Sequence, residues 1–146
     1  MVHLSTMNDF PNWLKLAGEV EPLFGPMVDI PEFQNGLKQV ILAGNAFCFA
    51  EQENFLGSIV ISKETNEIVW LAVIQHGRGC NIGAALLSEA IKHLDHTNPI
   101  TVRTFDKTTE AGIPARKLYN SFGFRDSFDA GLNSAGIPTV VMTMEK

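Results

Sequence analysis

The sequence predicts an α/β domain built on one mixed sheet, with helices on both of its faces. Three observations carry this prediction. Residues 46–50, 56–62 and 68–74 are strand-like apolar runs, and the short polar turns between them suit consecutive antiparallel hairpins. The third run stops at a glycine-rich turn, Gly77-Arg-Gly-Cys-Asn-Ile-Gly83, after which Ile82, Leu86, Ala90 and Leu94 recur at helical spacing. Another strand, Ile100–Phe105, follows that helix, and so long a connection makes it parallel to the strand before the turn.

Each element has a local cause. Residues 8–24 read as a helix with Trp13, Leu14, Leu16, Ala17, Val20 and Leu23 on or near one face. Pro11 suits its first turn, and Gly25-Pro26 stops it. Asp29 and Glu32 have the spacing of a capping box for a second helix, Pro31 to about Ala43, closed by Gly44. Between the two, residues 23–28 form an apolar loop, either a cover for the core or a wall of a pocket. The helix after the glycine-rich turn is ended by Asn98-Pro99. Residues 104–113 are a polar loop, and Pro114–Phe122 is a short helix. Gly123 falls where a left-handed cap belongs, with Phe124 placed for the accompanying apolar contact. Strands at about 125–130 and 139–144 finish the chain. The predicted order is α-α-β-β-β-α-β-α-β-β in a single domain, 1–146, with no repeat or linker.

Bulk properties narrow the function. An apolar fraction of 45% with 18% charged residues is ordinary for a globular protein. A net charge of -5 supplies no basic field for nucleic acid or an anionic membrane, so neither is an expected partner. No apolar run approaches the roughly 20 residues that span a bilayer, and the first residues lack a basic segment, so a cytoplasmic location is expected. Cys48 lies in an apolar run and Cys80 in the glycine-rich turn, which argues against a disulfide scaffold. His3, His76, His93 and His96 form no metal-ligand spacing with these cysteines, so no metal is expected.

Strand, glycine-rich turn and helix in that order make an anion site. Unpaired N–H groups of the turn and first helical turn point at the ligand, and the helix dipole adds a positive field. A Walker A loop is excluded because Gly-Lys-Ser/Thr is absent. A dinucleotide fingerprint fails because the last glycine gap is one residue too long, and the preceding hairpins do not suit a doubly wound sheet.

With Arg78-Gly-Cys-Asn-Ile-Gly83 opening a helix after Leu71-Ala-Val73, the turn resembles the acyl-CoA loop of the GNAT N-acetyltransferase family, Arg/Gln-x-x-Gly-x-Gly/Ala. Downstream, Ala115-Arg-Lys-Leu-Tyr-Asn-Ser-Phe-Gly-Phe124 resembles that family's Ala-x-x-Leu-Tyr-x-x-x-Gly-Phe. The two motifs and the element order cover most of residues 45–146. The resemblance implies the GNAT fold and acetyl-CoA as co-substrate. It implies that backbone N–H groups of Arg78, Gly79, Cys80, Asn81, Ile82, Gly83 and Ala84 cradle the pyrophosphate. It implies further that the main chain of Leu71 and Val73 pairs with the pantetheine arm, and that Tyr119 sits near the thioester sulfur. Two positions depart from the pattern. Asn81 stands where glycine is usual, and asparagine is the next most tolerant residue of a left-handed conformation. Gly112 stands where the family often carries an asparagine.

Acyl transfer to an amine requires a neutral amine, a stabilised oxyanion and a protonated leaving thiolate. Tyr119, the only tyrosine, is protonated at neutral pH and can donate. Glu67 opens the strand Ile68–Val73, where some family members place a base, and strict alternation puts it on one face with Val69, Leu71 and Val73. The expected activity is direct acetylation of a primary amine on a small molecule or a protein. The alternatives are a non-catalytic acyl-CoA-binding module and transfer of a longer acyl group. The acceptor's pocket would be shaped by the 23–33 loop, Trp70 and the 129–138 loop, none of which carries a signature that identifies the amine. The apolar last strand could pair across a homodimer.

Overall fold

The structure is a computed structural model that describes residues 1–74 and 81–144. It opens on a strand that the sequence pattern does not predict, β1 (Val2–Leu4), which pairs antiparallel with β2 (Ala46–Glu51). Three residues are too few to show a period, so only this partner reveals the strand. A turn of 3-10 helix follows at Met7–Asp9, where the Asp9 carboxylate accepts the Thr6 N–H at 2.9 Å.

Helix α1 (Phe10–Phe24) buries Trp13, Leu16, Ala17 and Val20, and ends at Gly25 with φ +102°. Helix α2 (Pro31–Leu42) is preceded by Ile30, with no side-chain cap. The expected Asp29–Glu32 capping box is therefore corrected: the helix starts one residue later than that box requires, with Ile30 in place of Asp29 at the cap and Pro31 at the first helical position. Gly44 does close the helix, at φ +78°, with Asn45 N–H bonded to Val40 O and Gly44 N–H to Ile41 O, the two bonds of a Schellman motif.

Strands β3 (Asn54–Ser62) and β4 (Glu67–Val73) continue the hairpins. Helix α3 (Ile82–Lys92) then crosses over to β5 (Ile100–Phe105), which is parallel to β4 as the connection demanded. The helix stops at His93, well short of Asn98-Pro99. The segment beyond it is held instead by Asn66, whose side chain bonds Asp95 N at 2.8 Å, Asp95 O at 2.9 Å and Pro99 O at 3.0 Å. Helix α4 (Ile113–Ser121) leads to β6 (Arg125–Leu132) and β7 (Pro138–Met144). Gly123 takes φ +97°, Phe124 N–H bonds Tyr119 O, and the Phe124 and Tyr119 rings meet edge to face at 5.6 Å. That is the cap and the apolar contact expected from the sequence.

The seven described strands run in the order β1-β2-β3-β4-β5-β7-β6. The last strand therefore lies inside the sheet, with both its ladders used by β5 and β6, and is not an edge that could pair with a second copy. One face carries α3 and α4 over a core of Ile59, Ile61, Ile68, Leu86, Leu87, Val102, Phe124 and Met142. The other carries α1 and α2 over Ala46, Val60 and Ala72. Full burial of a side chain such as Leu86 or Leu87 stabilises the fold by about 1.5–3 kcal/mol. Among the described residues no helix is long and apolar enough to cross a membrane.

Candidate active site

The site begins with one extra residue in β4. Val60 pairs with Trp70 and Ile61 with Ile68, so Val69 is left without an opposite number: a β-bulge. A bulge bends its strand and ends pairing, and here it does so on the far side. Strands β4 and β5 pair through Glu67–Thr101 and Ile68–Val102, and through no further described residues. Beyond the bulge the two parallel strands part in a V. Asn66 and the Thr101 N–H bond to Asn66 O, at 3.3 Å, hold its closed end.

Among the described residues, the walls of the V carry main-chain groups with no ladder partner across the gap. Ile74 N–H donates to Leu56 O of β3 at 2.9 Å, so alternation along the ladder turns the amides of Leu71 and Val73 away from β3 and into the gap. The bulge also resets the faces. Leu71 and Val73 pack with Ile68 on the α3 side, whereas Trp70 and Ala72 face α1. Glu67, next to Ile68 and opposite Ser62, falls by alternation on the α1 side. The expectation that it shares a face with Leu71 and Val73 is corrected, because strict period 2 does not survive a bulge. Its carboxylate accepts the Thr65 hydroxyl at 2.7 Å near the closed end of the V.

At the open end lies the start of α3. Asn81 adopts the left-handed conformation, φ 61° and ψ 19°, as its position in the motif anticipates. Ala85 N–H is bonded to Asn81 O, which leaves the N–H groups of Ile82, Gly83 and Ala84 ahead of the first intrahelical bond. Among the described residues no acidic side chain stands in this turn to oppose an anion. A Cβ on Gly83 would come within 3.0 Å of Leu118 Cδ2 and 3.9 Å of Val73 Cγ2, so α3, α4 and β4 close on this glycine. Arg78, Gly79 and Cys80, expected to hold the same anion, lie outside the described residues.

Leu71, Val73, Ile82 and Tyr119 thus come together on the α3–α4 face, and Glu67 stands apart from them. Tyr119 is 4% exposed, and burial raises its phenol well above the ordinary tyrosine range. The phenol therefore stays protonated at neutral pH and is able to donate a hydrogen bond.

The α1 side of the V shows groups that sequence patterns do not join. Phe24 stacks on Phe105 of β5 at 5.5 Å and 14°, and tilts against Trp70 of β4 at 5.5 Å, so one ring bridges the two diverging strands. Trp70 is fixed by donating Nε1–H to Ser58 Oγ at 2.9 Å. The loop beyond Phe24 is shaped by Glu21, whose carboxylate accepts the N–H groups of Val28 and Met27 at 3.0 and 2.7 Å. Those bonds lower its pKa. Asn133 in the β6–β7 loop donates to Leu23 O at 2.9 Å, joining this loop to the opposite end of the chain. No short-range signal could have revealed a contact across 110 positions. The basic side chains nearby are committed to structure. Arg116 pairs with Asp126 at 2.9 Å, and Arg103 bonds Thr139 Oγ1 and Leu132 O.

Comparison with known proteins agrees with this geometry. The family model described as "Acetyltransferase (GNAT) domain" matches residues 29–146. Among solved structures, a GNAT-family acetyltransferase from Bacillus cereus superposes with a TM-score of 0.75 at 17% identity, covering 100% of this chain and 96% of that one. The Salmonella typhimurium protein yncA, solved with its cofactor acetyl-CoA, gives 0.77 at 11% identity over 99% and 92% of the two chains. A ribosomal-protein-alanine N-acetyltransferase from Brucella melitensis gives 0.74 at 16% identity over 100% and 99%. No curated protein matches by sequence.

Proposed function

The chain belongs to the GNAT acetyltransferase family, and from that premise we propose that it moves an acetyl group from acetyl-CoA directly to a primary amine of a small molecule or protein. The observation that carries the reading is the parting of β4 from β5 after Ile68 and Val102, which frees main-chain groups beside the first turn of α3. That gap suits an extended pantetheine arm, added to β4 as a strand through Leu71 and Val73. The N–H groups from Arg78 to Ala84 hold the pyrophosphate. Bare amides at the start of α3 favour an anion there. The neighbour solved with acetyl-CoA supports that co-substrate.

In the proposed reaction the amine nitrogen bonds to the acetyl carbon while main-chain N–H of β4 stabilises the oxyanion. The carbon–sulfur bond then breaks, and Tyr119 donates a hydrogen bond to the departing sulfur. Glu67 takes the proton lost by the amine, through water, from the α1 side. The acceptor reaches the carbonyl on that side, past Phe24, Trp70 and Phe105. An Arabidopsis thaliana neighbour, NAA60, is solved with a bisubstrate analogue, which supports donor and acceptor meeting in one site.

The test is release of CoA thiol across a panel of amines and peptide N-termini, with acetyl-, propionyl- and succinyl-CoA. Amine-dependent release that is fastest with acetyl-CoA is expected. Acetyl-CoA binding without release on any amine would overturn the enzyme reading in favour of a binding module.

A further inference from the structure

The pairing of β1 with β2 sets His3 opposite Cys48, two strands away from the V, and the 3-10 turn carries Asp9 back over them. His3 Nε2 stands 3.0 Å from Cys48 Sγ and 3.5 Å from Asp9 Oδ2, and the three donor atoms all lie within 4.8 Å of one another. Both partners address the same ring nitrogen. A nucleophilic triad needs the thiol at one nitrogen and the carboxylate at the other. Convergence of sulfur, nitrogen and oxygen on one point is instead what a coordinated ion requires.

We propose that His3, Asp9 and Cys48 form a binding site for a zinc-class divalent cation, with a fourth, water-accessible position. Tetrahedral ligands at zinc bond lengths sit about 3.3–3.6 Å apart. The two His3 separations, 3.0 and 3.5 Å, are close to that spacing, and the half-exposed His3 ring, its side chain 45% exposed, can adjust them; the Cys48–Asp9 pair, within 4.8 Å, needs a shift of about 1 Å at most. The other two ligands are already oriented. Asp9 is held by the Thr6 N–H at 2.9 Å. Cys48 is fully buried and fixed within β2, where it lies opposite His3 on one side and Ser58 on the other. Such outer contacts order a metal ligand before the ion arrives. The thiolate selects a borderline-soft ion over magnesium or calcium. Binding exchanges the Cys48 proton, lost to solvent, for a metal–sulfur bond, and ties a three-residue edge strand and the entry to α1 onto β2.

The test uses the full chain, free of any affinity tag and stripped with EDTA, titrated with cobalt(II) as a spectroscopic substitute. A thiolate-to-cobalt charge-transfer band should saturate at one equivalent and vanish on adding zinc. His3→Ala, at a half-exposed side chain, should leave the circular dichroism unchanged and weaken cobalt binding at least about 10-fold. Cys48→Ser should abolish the band, whereas Cys80→Ser should keep it. Absence of the band at saturating cobalt, or a band that survives His3→Ala at unchanged affinity, overturns the proposal. The histidine variant decides the matter even if Cys48→Ser fails to fold. Acetyl transfer does not enter this readout, so its outcome is separate from that of the proposed activity.

Discussion

Gly112 is the position where the family often carries an asparagine, and the structure supplies a steric reason for the difference. A Cβ built on Gly112 would lie 2.6 Å from Phe105 Cβ, 3.0 Å from its Cδ2 and 3.2 Å from its Cγ. Its backbone, φ -86° and ψ -7°, is one any residue adopts, so the obstacle is contact alone. The nearest atom is a Cβ, which no rotamer change can move. The end of β5 or the 110–112 turn must therefore shift, and Phe105 with it, although Phe105 is stacked on Phe24. Overpacking of this kind costs about 1–3 kcal/mol. The entropy that alanine removes from the unfolded chain offsets about 0.4–1 kcal/mol, for a net loss of about 1–2 kcal/mol in Gly112→Ala. Gly36, inside α2, provides the matched control, since a Cβ added there would meet nothing within 4 Å. Gly36→Ala should stabilise by about 0.5–1 kcal/mol. At this chain length 1 kcal/mol moves Tm by about 2–4 °C. Differential scanning calorimetry should then find Gly112→Ala melting about 2–8 °C lower and Gly36→Ala about 1–4 °C higher. Gly112→Asn should fall further than the alanine variant. A Gly112→Ala protein that melts at or above the parent, with Gly36→Ala behaving as stated, would refute the contact with Phe105.

Tyr119→Phe should lower kcat about 100-fold while KM for acetyl-CoA changes less than about 3-fold, because only the bond to the leaving sulfur is lost; equal changes in both would make the ring a packing element. Glu67→Gln should lower kcat about 100-fold, and an unaltered kcat would leave Glu67 a turn residue bonded to Thr65. Asn81→Gly should preserve stability and acetyl-CoA affinity, whereas Asn81→Val at φ 61° should cost about 1–2 kcal/mol and raise KM for acetyl-CoA, as read by thermal melts and initial rates. Glu21 has a folded pKa below its unfolded value, so its contribution is present above the unfolded value near 4.5 and is lost as pH falls through the folded one; Glu21→Gln should flatten the fall of Tm between about pH 5 and pH 3.

What the sequence made legible is what short-range chemistry determines. Gly44 and Gly123 announce their helix ends because a left-handed residue after an apolar helical stripe has few other uses, and both prove to be Schellman caps. The parallel relation of β4 and β5 follows from the length of the helix between them. Asn81 declares its conformation through the motif it interrupts. By contrast, Ile68-Val-Trp-Leu-Ala-Val73 is apolar at every position, so either register fits and the bulge at Val69 leaves no trace in the pattern. Strict alternation puts Glu67 on the wrong face for that reason. The capping-box spacing misleads as well, because Pro31 takes the first helical position and moves the cap from Asp29 to Ile30.

The same division runs through the site itself. Its donor half is written locally: a strand, a turn and the first residues of α3, with Tyr119 a motif away. The half we propose for the acceptor is assembled from distant pieces, since Phe24 of α1, Trp70 of β4 and Phe105 of β5 meet only after the sheet forms, and Asn133 must cross to Leu23 to set the loop beside them. The bulge links the two halves. By leaving Val69 unpaired it parts β4 from β5, turns Leu71 and Val73 toward the α3 side, and leaves Trp70 and Glu67 on the other. In the proposed reading, a single irregularity therefore sets both the opening for the donor and the wall that the acceptor meets. Changes to the aromatic wall should alter which amine is used, and changes to the start of α3 should alter how tightly the donor is held.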